Sequence, residues 1–357
     1  MTLPRDHQAI HHEPLVSVIV PTFNRAAYLE RSLASWCHQD YRNYELIVID
    51  DGGSDNTAAV VRGYEPVLPV RLQQISRSGR SGARNHGIRA SNGELLLFCD
   101  DDRVVPPDFV REHVRCHGES NTRKAVLGWQ FGAFVELRPN QEPPPEVASW
   151  LVAEGSDDKM TSDTEALELI TAAQLRENPR LVEALKYPEP MFDQHALPLI
   201  ATYGDRLRGC PLAWCCGTSG NLSLRKEFLE QIGLFDQTFQ GWGFEDTELL
   251  YRVVHCGGSI HVTRSACNYH QNHRRNRFVE HANWRGNALL FLEKYPTLQV
   301  GLMILCALRN TPLLVACEVL TEAESTASTA LVRAYTQLVL DTVRIECARF
   351  RGHTAGT

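Results

Sequence analysis

Short apolar runs alternate with amphipathic segments over the first third of the chain. Four runs are typical of buried strands, at residues 15–20, 45–49, 70–75 and 94–99. Apolar positions recur at helical spacing in the three segments between these runs, at residues 28–37, 57–64 and 81–90. Alternating strands and helices predict an α/β domain built on a mostly parallel sheet.

Polar residues follow three of these predicted strands directly. The first strand leads into residues 21–25, the second into Asp50-Asp51, and the fourth into Asp100-Asp101-Asp102. In open sheets of this kind, ligands bind outside the carboxyl ends of the strands. We therefore expect one crevice to collect all three segments.

The acidic triplet at residues 100–102 indicates a bound cation, because three carboxylates that end a buried strand need a compensating charge. Mg²⁺ and Mn²⁺ prefer oxygen ligands and usually combine one or two protein carboxylates with water and substrate phosphates. The triplet therefore predicts a metal-bound phosphate ligand. The alternative is a solvated turn that leads into Pro106-Pro107.

Glycine-rich phosphate-binding motifs do not account for such a ligand. The turn after the first predicted strand has no glycine, so it lacks the GxGxxG pattern of a dinucleotide-binding domain, and the sequence has no P-loop. Residues 79–82, Gly-Arg-Ser-Gly, follow the third strand and indicate no more than a flexible turn.

Four segments, in matching order and spacing, resemble glycosyltransferase family 2. They are VSVIVPTFN at 16–24, LIVIDDGGSD at 46–55, GARNHGI at 82–88 and LFCDDD at 97–102. Three later segments, at 217–225, 232–236 and 241–250, resemble the acceptor-side half of such enzymes. The resemblance spans residues 15 to about 275 and implies the GT-A fold, a Rossmann-like α/β/α sandwich.

The resemblance implies a nucleotide site at the ends of the first two strands. Phe23 is expected to lie against the base, Asp51 to accept a hydrogen bond from it, and Pro21 and Asn24 to shape that pocket. Arg84 is expected to contact the diphosphate or the base, although the altered 79–80 loop weakens that assignment. The alternatives are a core position for Phe23 and a surface position for Arg84.

Within the triplet, the resemblance implies ribose near Asp100 or Asp101 and a Mn²⁺ or Mg²⁺ ion on Asp102. A histidine just after a strand predicted at 259–265 is expected to complete the coordination of the ion. His270 is the preferred ligand and His273 is the substitute; the alternative is an ordinary surface histidine. The basic run Arg274, Arg275 and Arg277 is a further candidate for the diphosphate.

A second carboxylate pair, Glu245-Asp246, follows Gly241-Trp242-Gly243 and opens a predicted helix. Acidic residues at a helix N-terminus also stabilise the helix by about 0.3 to 1 kcal/mol, so the pair could serve helix stability alone. The resemblance implies that Asp246 is the general base, that Glu245 positions the acceptor or donor sugar, and that Trp242 binds substrate. The two carboxylates could exchange roles.

Composition limits the class of protein and its compartment. The chain has 357 residues, of which 43% are hydrophobic and 22% charged, as in a globular protein, and its net charge of -7 argues against a general nucleic-acid binder. Its eleven cysteines show no zinc-site spacing and are expected to be reduced, mostly buried thiols. No apolar stretch occurs in residues 1–12, which predicts no signal peptide and a cytoplasmic location.

Four regions are predicted along the chain. They are an N-terminal extension at 1–14, a nucleotide-sugar-binding half at 15–125, an acceptor-binding and catalytic half at 126–295 with a helical insertion at 149–200, and a helical C-terminal extension at 296–357. A proline-rich connector at 139–145 precedes the insertion, and the apolar C-terminal segments are too interrupted to span a membrane. The extension is expected to pack on the catalytic domain or on a second subunit of a homo-oligomer; peripheral contact with the inner membrane face is the alternative.

Together these features predict a metal-dependent, inverting glycosyltransferase of the hexosyl or N-acetylhexosaminyl type. It would move a sugar from a nucleotide-diphosphate sugar, preferably a UDP-sugar, to a hydroxyl of a glycan, natural product or peptide. A nucleotidyltransferase and a catalytically silent sugar-nucleotide-binding protein are the alternatives. The first would be expected to have a glycine-rich basic signature after its first strand, and the second need not retain both carboxylate clusters.

Overall fold

The computed structural model describes most of the chain. The described residues are 13–118, 122–138, 145, 147–149, 166–189, 192–273, 277–326 and 328–349. Most of the predicted N-terminal extension and connector, and the part of the predicted insertion at 150–165, lie outside them.

A nine-stranded sheet forms the centre of the described residues. In chain order the strands, including a separate small pair, are β1 Val16–Thr22, β2 Tyr44–Asp51, β3 Val70–Ile75, β4 Leu95–Cys99, β5 Arg103–Val104, β6 Lys124–Ala133, β7 Glu136–Leu137, β8 Leu167–Glu168, β9 Lys186–Pro188, β10 Asn221–Arg225 and β11 Ser259–Gln271. The sheet has the order β3-β2-β1-β4-β10-β6-β11-β5, with β9 beside β6, while β7 and β8 pair separately.

Half of the neighbouring pairs in the sheet are parallel, and these include every pair among the four strands of the first third, for which a mostly parallel sheet was predicted. β1 pairs in parallel with β2 and β4, β2 with β3, and β6 with β11. β10 is antiparallel to β4 and β6, and the short strands β5 and β9 are antiparallel to their partners. The antiparallel strand β10 therefore joins the parallel strands β1 to β4 to the strands β6 and β11.

Helices cover both faces of the sheet. They are α1 Ala26–Trp36, α2 Thr57–Tyr64, α3 Gly79–Ala90, α4 Phe109–His117, α5 Ala172–Glu177, α6 Leu197–Tyr203, α7 Lys226–Ile232, α8 Glu245–His255, α9 Arg277–Lys294, α10 Leu298–Leu308, α11 Leu313–Thr326 and α12 Thr329–Arg349. The four strands and three helices predicted in the first third are all present, with ends shifted by a few residues at most.

Successive side chains of one strand enter different apolar cores, as strand geometry requires. Ile19 and Phe98 belong to one buried cluster, whereas Val18 and Leu97 belong to another. Because both faces are covered, the strands are continuously apolar rather than alternating. The α/β/α sandwich predicted from the sequence is confirmed.

Two sequence-based expectations need correction. The predicted strand at 259–265 extends to Gln271, because it pairs with β6 and β5 along its second half, so His270 lies inside a strand and not after one. The insertion at 149–200 is not purely helical in its described part, since β8 and β9 lie within it and β9 extends the sheet beside β6.

The C-terminal extension is helical, as predicted, and packs on residues 126–295. Met303 and Leu313 belong to the same buried cluster as Phe244 and Phe291 of that region. Within the described part of the chain, no helix combines the length and the hydropathy needed to cross a bilayer. All eleven cysteines are free thiols, and six of them are buried, which agrees with the expectation from the sequence.

Candidate active site

A cavity of about 530 Å³ opens at the carboxyl ends of β1, β2 and β4. Such a position is where ligands bind in open α/β sheets. Twelve of the candidate site residues line the cavity, namely Pro21, Phe23, Asp51, Arg84, Asp100, Asp101, Asp102, Trp242, Glu245, Asp246, His270 and His273. The crevice expected from the sequence is therefore present.

Arginines contact each carboxylate of the acidic triplet. Arg84 Nη2 donates to Asp100 Oδ1 at 3.0 Å. Arg25 Nη1 donates to Asp101 Oδ1 at 3.2 Å and to Asp102 Oδ2 at 2.7 Å. Burial raises the pKa of Asp101 to about 6, with the Arg25 charge acting in the opposite direction. The solvated turn considered as an alternative is excluded, because Asp101 and Asp102 are 3% and 4% exposed.

Asp102, His270 and His273 form a candidate metal centre. The Nε2 atoms of His270 and His273 lie 3.4 and 3.1 Å from Asp102 Oδ2, and one ligand atom from each residue falls within 4.8 Å of the others. The buried Asp102 Oδ1 accepts no hydrogen bond from the described residues, although Arg103 Nε lies 3.5 Å away. An aspartate and two histidines fit a divalent cation, and both histidines weighed from the sequence reach the site.

Charges around this centre keep Asp102 ionised. Burial raises the pKa of the Asp102 carboxyl, but the two histidines and Arg103 outweigh burial and hold this pKa well below its usual range. His270 Nδ1 lies 3.5 Å from Glu189 Oε2, on the ring side opposite Asp102. A carboxylate behind a ligating histidine orients the ring and raises its basicity as a ligand.

Arg25 and Glu189 are the main site residues that the sequence reasoning did not identify. Arg25 Nη2 lies 3.1 and 2.8 Å from the two ring nitrogens of His273, in addition to its contacts with the triplet. Its position directly after Asn24 was the one available signal. Glu189 lies in the insertion, where no motif marked it.

An unusual loop conformation sets the position of the second carboxylate pair. Gly241, Gly243 and Phe244 have φ angles of 73°, 102° and 73°. A Cβ on Gly243 would also lie 2.9 Å from Trp284 Cδ1, so glycine is required there by backbone conformation and by space. The Asn287 side chain donates to the carbonyls of residues 240 and 243 at 2.9 and 2.8 Å. Together these contacts fix the point at which α8 begins.

The two carboxylates of this pair have different partners. Glu245 Oε1 accepts from Arg84 Nη1 at 3.2 Å, whereas the Asp246 oxygens accept from the backbone N–H groups of Ser219 at 3.3 Å and Thr247 at 2.8 Å. Burial, together with the charge of Glu245, raises the pKa of Asp246 to about 7. A carboxylate with a pKa near neutrality is suited to proton transfer.

Arg84 is a buried link between the two carboxylate clusters. Its side chain is 2% exposed and bridges Asp100 and Glu245. The alternative of a surface arginine is therefore wrong. Since Arg84 also lines the cavity, it compensates acidic charge where the clusters meet.

The end of the cavity beside β1 and β2 has an exposed aromatic ring. Phe23 is 38% exposed, so the alternative of a core position is wrong. The Arg77 guanidinium lies over this ring, 3.6 Å from its centroid, and its Nη1 donates to Asp51 Oδ2 at 2.8 Å. Asp51 also accepts from the backbone N–H groups of Ser78 and Gly79 at 2.6 and 3.0 Å. Asp51 therefore holds the start of α3 beside Phe23.

Asn24 lies outside the cavity lining. Its φ angle of 52° is in the left-handed region, which asparagine tolerates. Its Oδ1 accepts from the backbone N–H of Ser54 at 2.7 Å, so it holds the loop after β2. Arg274 and Arg275 lie outside the described residues, as does the side chain of Arg277.

Two family models match the chain. Residues 17–154 match "Glycosyl transferase family 2", and residues 209–278 match "N-terminal domain of galactosyltransferase". Both models lie within the span of residues from which the resemblance was inferred, and they confirm it.

Relatives and solved structures agree with these matches. Validoxylamine A glucosyltransferase from Streptomyces hygroscopicus subsp. jinggangensis (strain 5008) is 30% identical over 81% of this chain, which spans 63% of that relative. Chondroitin synthase from Pasteurella multocida (strain Pm70) is 28% identical over 72% of this chain and 24% of its own length. The crystal structure of S. aureus TarS 1-349 in complex with UDP-GlcNAc superposes with a TM-score of 0.50 at 16% identity, covering 81% of this chain and 66% of that one, which supports a GT-A fold.

Proposed function

Since the chain belongs to glycosyltransferase family 2 over residues 17–154, we propose that it transfers a sugar from a nucleotide-diphosphate sugar to an acceptor hydroxyl. The proposed reaction is a single, metal-dependent displacement that inverts the anomeric configuration. One observation supports it most strongly: Asp246, with a pKa raised to about 7, lines the same cavity as the Asp102, His270 and His273 centre.

In this proposal Asp246 takes the proton of the acceptor hydroxyl. It is preferred over Glu245 because Glu245 is paired with the buried Arg84, whereas the described hydrogen bonds to Asp246 come from backbone N–H groups. Glu245 and Arg84 act together as positioning residues for the sugar. No covalent nucleophile is needed, so the acceptor oxygen attacks the anomeric carbon directly.

Asp102, His270 and His273 are the proposed ligands of the divalent cation. When bound, the cation would stabilise the charge of the departing diphosphate. Two imidazole donors favour Mn²⁺ over Mg²⁺, since Mg²⁺ prefers oxygen ligands and near-ideal octahedral geometry. Phe23 and Asp51 form the proposed base site, with Pro21 beside them, and Asp100 or Asp101 faces the ribose.

UDP is the proposed nucleotide, as the family resemblance implies, and a hexose or N-acetylhexosamine is the proposed sugar. The name of the glucosyltransferase relative supports a hexose. The proposed acceptor is a glycan, natural product or peptide. A cytoplasmic location, contact with the inner membrane face and assembly into a homo-oligomer remain predictions.

The test is turnover of UDP-glucose, UDP-galactose and UDP-GlcNAc with Mn²⁺ and a panel of acceptors. We expect UDP release with one of these donors, dependence on Mn²⁺, and a product of inverted configuration by NMR. Release of pyrophosphate would instead indicate a nucleotidyltransferase, and nucleotide binding without turnover would indicate a silent binding protein. A product with retained configuration would contradict the single displacement.

A further inference from the structure

Part of the cavity wall comes from helices that neither family model covers. Trp284 of α9, Met303 and Ala307 of α10, and Leu313 of α11 line the same cavity as Asp246, as does Glu280, one turn before Trp284 on α9. We call the first four of these residues the apolar wall. Both matched regions end before residue 279, so the family resemblance assigns no role to these side chains.

The geometry of α10 and α11 presents this wall to the cavity. Met303 and Ala307 are four residues apart and therefore lie on one face of α10. Leu313 begins α11 after a short turn. The charged residue of that turn, Arg309, is exposed and pairs with Glu346 of α12 at 3.7 Å, and it does not line the cavity. The corner between α10 and α11 is thus apolar on its cavity side.

The apolar wall is joined to the loop that carries the proposed general base. The Trp284 ring packs on Phe244, with 5.0 Å between ring centroids, and Phe244 directly precedes Glu245-Asp246. Met303 and Leu313 belong to the same buried cluster as Phe244. An acceptor hydroxyl near Asp246 would therefore have the remainder of its molecule close to these side chains.

The chemistry of the wall restricts that remainder. The four side chains offer one strong hydrogen-bond donor, the indole N–H of Trp284, and one weak acceptor, the Met303 sulfur, and Glu280 is the polar side chain that α9 adds beside them. A saccharide pressed against methionine, alanine and leucine would leave hydroxyl groups without partners, which is unfavourable. We propose that the acceptor carries its hydroxyl on an apolar or aromatic body that lies against the apolar wall. This inference rests on the proposed function.

Binding of an alkyl glucoside series tests this inference. Methyl, propyl, butyl and hexyl β-glucosides are titrated calorimetrically into the full chain saturated with UDP and Mn²⁺. Each buried methylene should strengthen binding by up to about fourfold, so affinity is expected to rise steeply along the series. An affinity that does not change with chain length, including no detectable binding of any glucoside, overturns the inference.

Ala307→Glu tests the position of the apolar body. Ala307 is exposed on its helix, so the variant should fold, but the carboxylate would stand in the apolar wall. We expect the dependence on chain length to disappear while the affinity for UDP with Mn²⁺ stays unchanged. Ala330→Glu is the matched control, since Ala330 is an exposed alanine of α12 outside the cavity lining. Equal titrations for Ala307→Glu and the wild type would overturn the inference.

The same titrations separate failure of the inference from failure of the proposed function. If UDP with Mn²⁺ does not bind at all, the proposed function itself fails. If UDP binds but glucoside affinity does not depend on chain length, only the inference of an apolar acceptor is wrong. Octyl and decyl β-glucosides extend the series: a gain that levels off at hexyl supports a small aglycone, whereas one that continues to decyl supports a lipid-borne acceptor.

Discussion

Two pairs of buried histidines lie near the same sheet and differ in their partners. His270 and His273 line the cavity, where their Nε2 atoms face the carboxylate of Asp102 at 3.4 and 3.1 Å. A carboxylate between two imidazoles, with a further carboxylate at Glu189, is a ligand set that a divalent cation can complete.

The second pair, His113 and His117 of α4, has neutral partners. His113 contacts Ser223 Oγ through Nδ1 and Asn221 Oδ1 through Nε2, both at 2.8 Å, and His117 Nε2 lies 2.9 Å from Ser223 Oγ. Burial lowers the pKa of His113 to about 4 and that of His117 well below its usual value. Burial of a histidine pair therefore does not indicate a metal site; the charge of the partners does.

The largest effect is expected at Asp246, which lines the same cavity as His270 and His273. Asp246→Asn removes the proposed base and should lower kcat by about 10² to 10⁴-fold. Binding of UDP with Mn²⁺ should stay within about twofold, because Asp246 is not among the proposed metal ligands, and thermal shift with the nucleotide measures this. Asp341→Asn, at an exposed aspartate of α12, is the control. Wild-type kcat in Asp246→Asn would remove Asp246 from the mechanism.

Substitutions in the two histidine environments should affect different properties, Mn²⁺ affinity in the first and stability of the fold in the second. Asp102→Asn should weaken Mn²⁺ binding by more than about 100-fold, since a ligand is lost, with second-shell losses alone reaching 10 to 100-fold. His113→Asn should leave Mn²⁺ affinity unchanged but destabilise the fold by about 1 to 3 kcal/mol, because buried polar partners lose their hydrogen bonds. Calorimetry with Mn²⁺ and urea unfolding measure the two quantities. Equal Mn²⁺ affinities in Asp102→Asn and His113→Asn would contradict the assignment of the metal site to Asp102, His270 and His273.

The pH dependence of turnover should follow the raised pKa of Asp246. A general base acts when unprotonated, so kcat at saturating donor and Mn²⁺ should fall as pH drops below about 7 and level off above it. A decrease of about 30-fold is expected between pH 8 and pH 5.5, which is tenfold per unit below the pKa. A kcat that stays flat over this range would argue for a different base.

A smaller effect is expected at Glu189, which stands behind His270. Glu189→Gln keeps an acceptor oxygen but removes the charge, and it should weaken Mn²⁺ binding by about tenfold. Glu183→Gln alters a nearby glutamate that is paired with the exposed Arg180, and serves as the control. If the two variants bind Mn²⁺ equally well, Glu189 does not support the metal centre.

The smallest effect concerns the stability of the fold in acid and involves His113, whose hydrogen-bond partners are neutral. The folded pKa of His113 is lowered to about 4, so the unfolded chain binds a proton first as pH falls below about 6.5. The stability that His113 contributes is therefore present above pH 6.5 and is lost toward pH 4, by up to about 1.4 kcal/mol per pH unit. Urea unfolding at pH 7.5 and 5.5 should show a smaller loss in His113→Gln than in the wild type. Equal losses would exclude His113 as an acid-labile element.

Local patterns in the sequence were sufficient for the elements that carry the site. The strands before Pro21, Asp51 and Asp100 were predicted because apolar runs of that length are buried on both faces. The helix that begins at Glu245 was predicted because acidic residues follow the Gly241-Trp242-Gly243 loop and precede the apolar run at 249–254. Residues at strand ends could then be assigned to one crevice without knowledge of their contacts.

Contacts between distant residues could not be predicted in this way. Arg25 reaches Asp102 across 77 positions, and Arg84 reaches Glu245 across 161. Neither pair has a local signature, so Arg25 was missed and Arg84 was weighed against a surface position. Glu189 was missed because its role depends on the ring of His270, 81 positions away.

By itself the sequence determined the order of strands and helices in the first third of the chain, the family resemblance and the set of carboxylates and histidines near the strand ends. These properties depend on periodicity and on residues close together in the chain. Tertiary structure alone decided that both His270 and His273 reach Asp102, that Arg84 forms its ion pair with Glu245, and that α10 and α11 complete the cavity. The physical reason is that charge interactions, burial and cavity shape depend on distances in space, which the folded chain sets between residues remote in sequence.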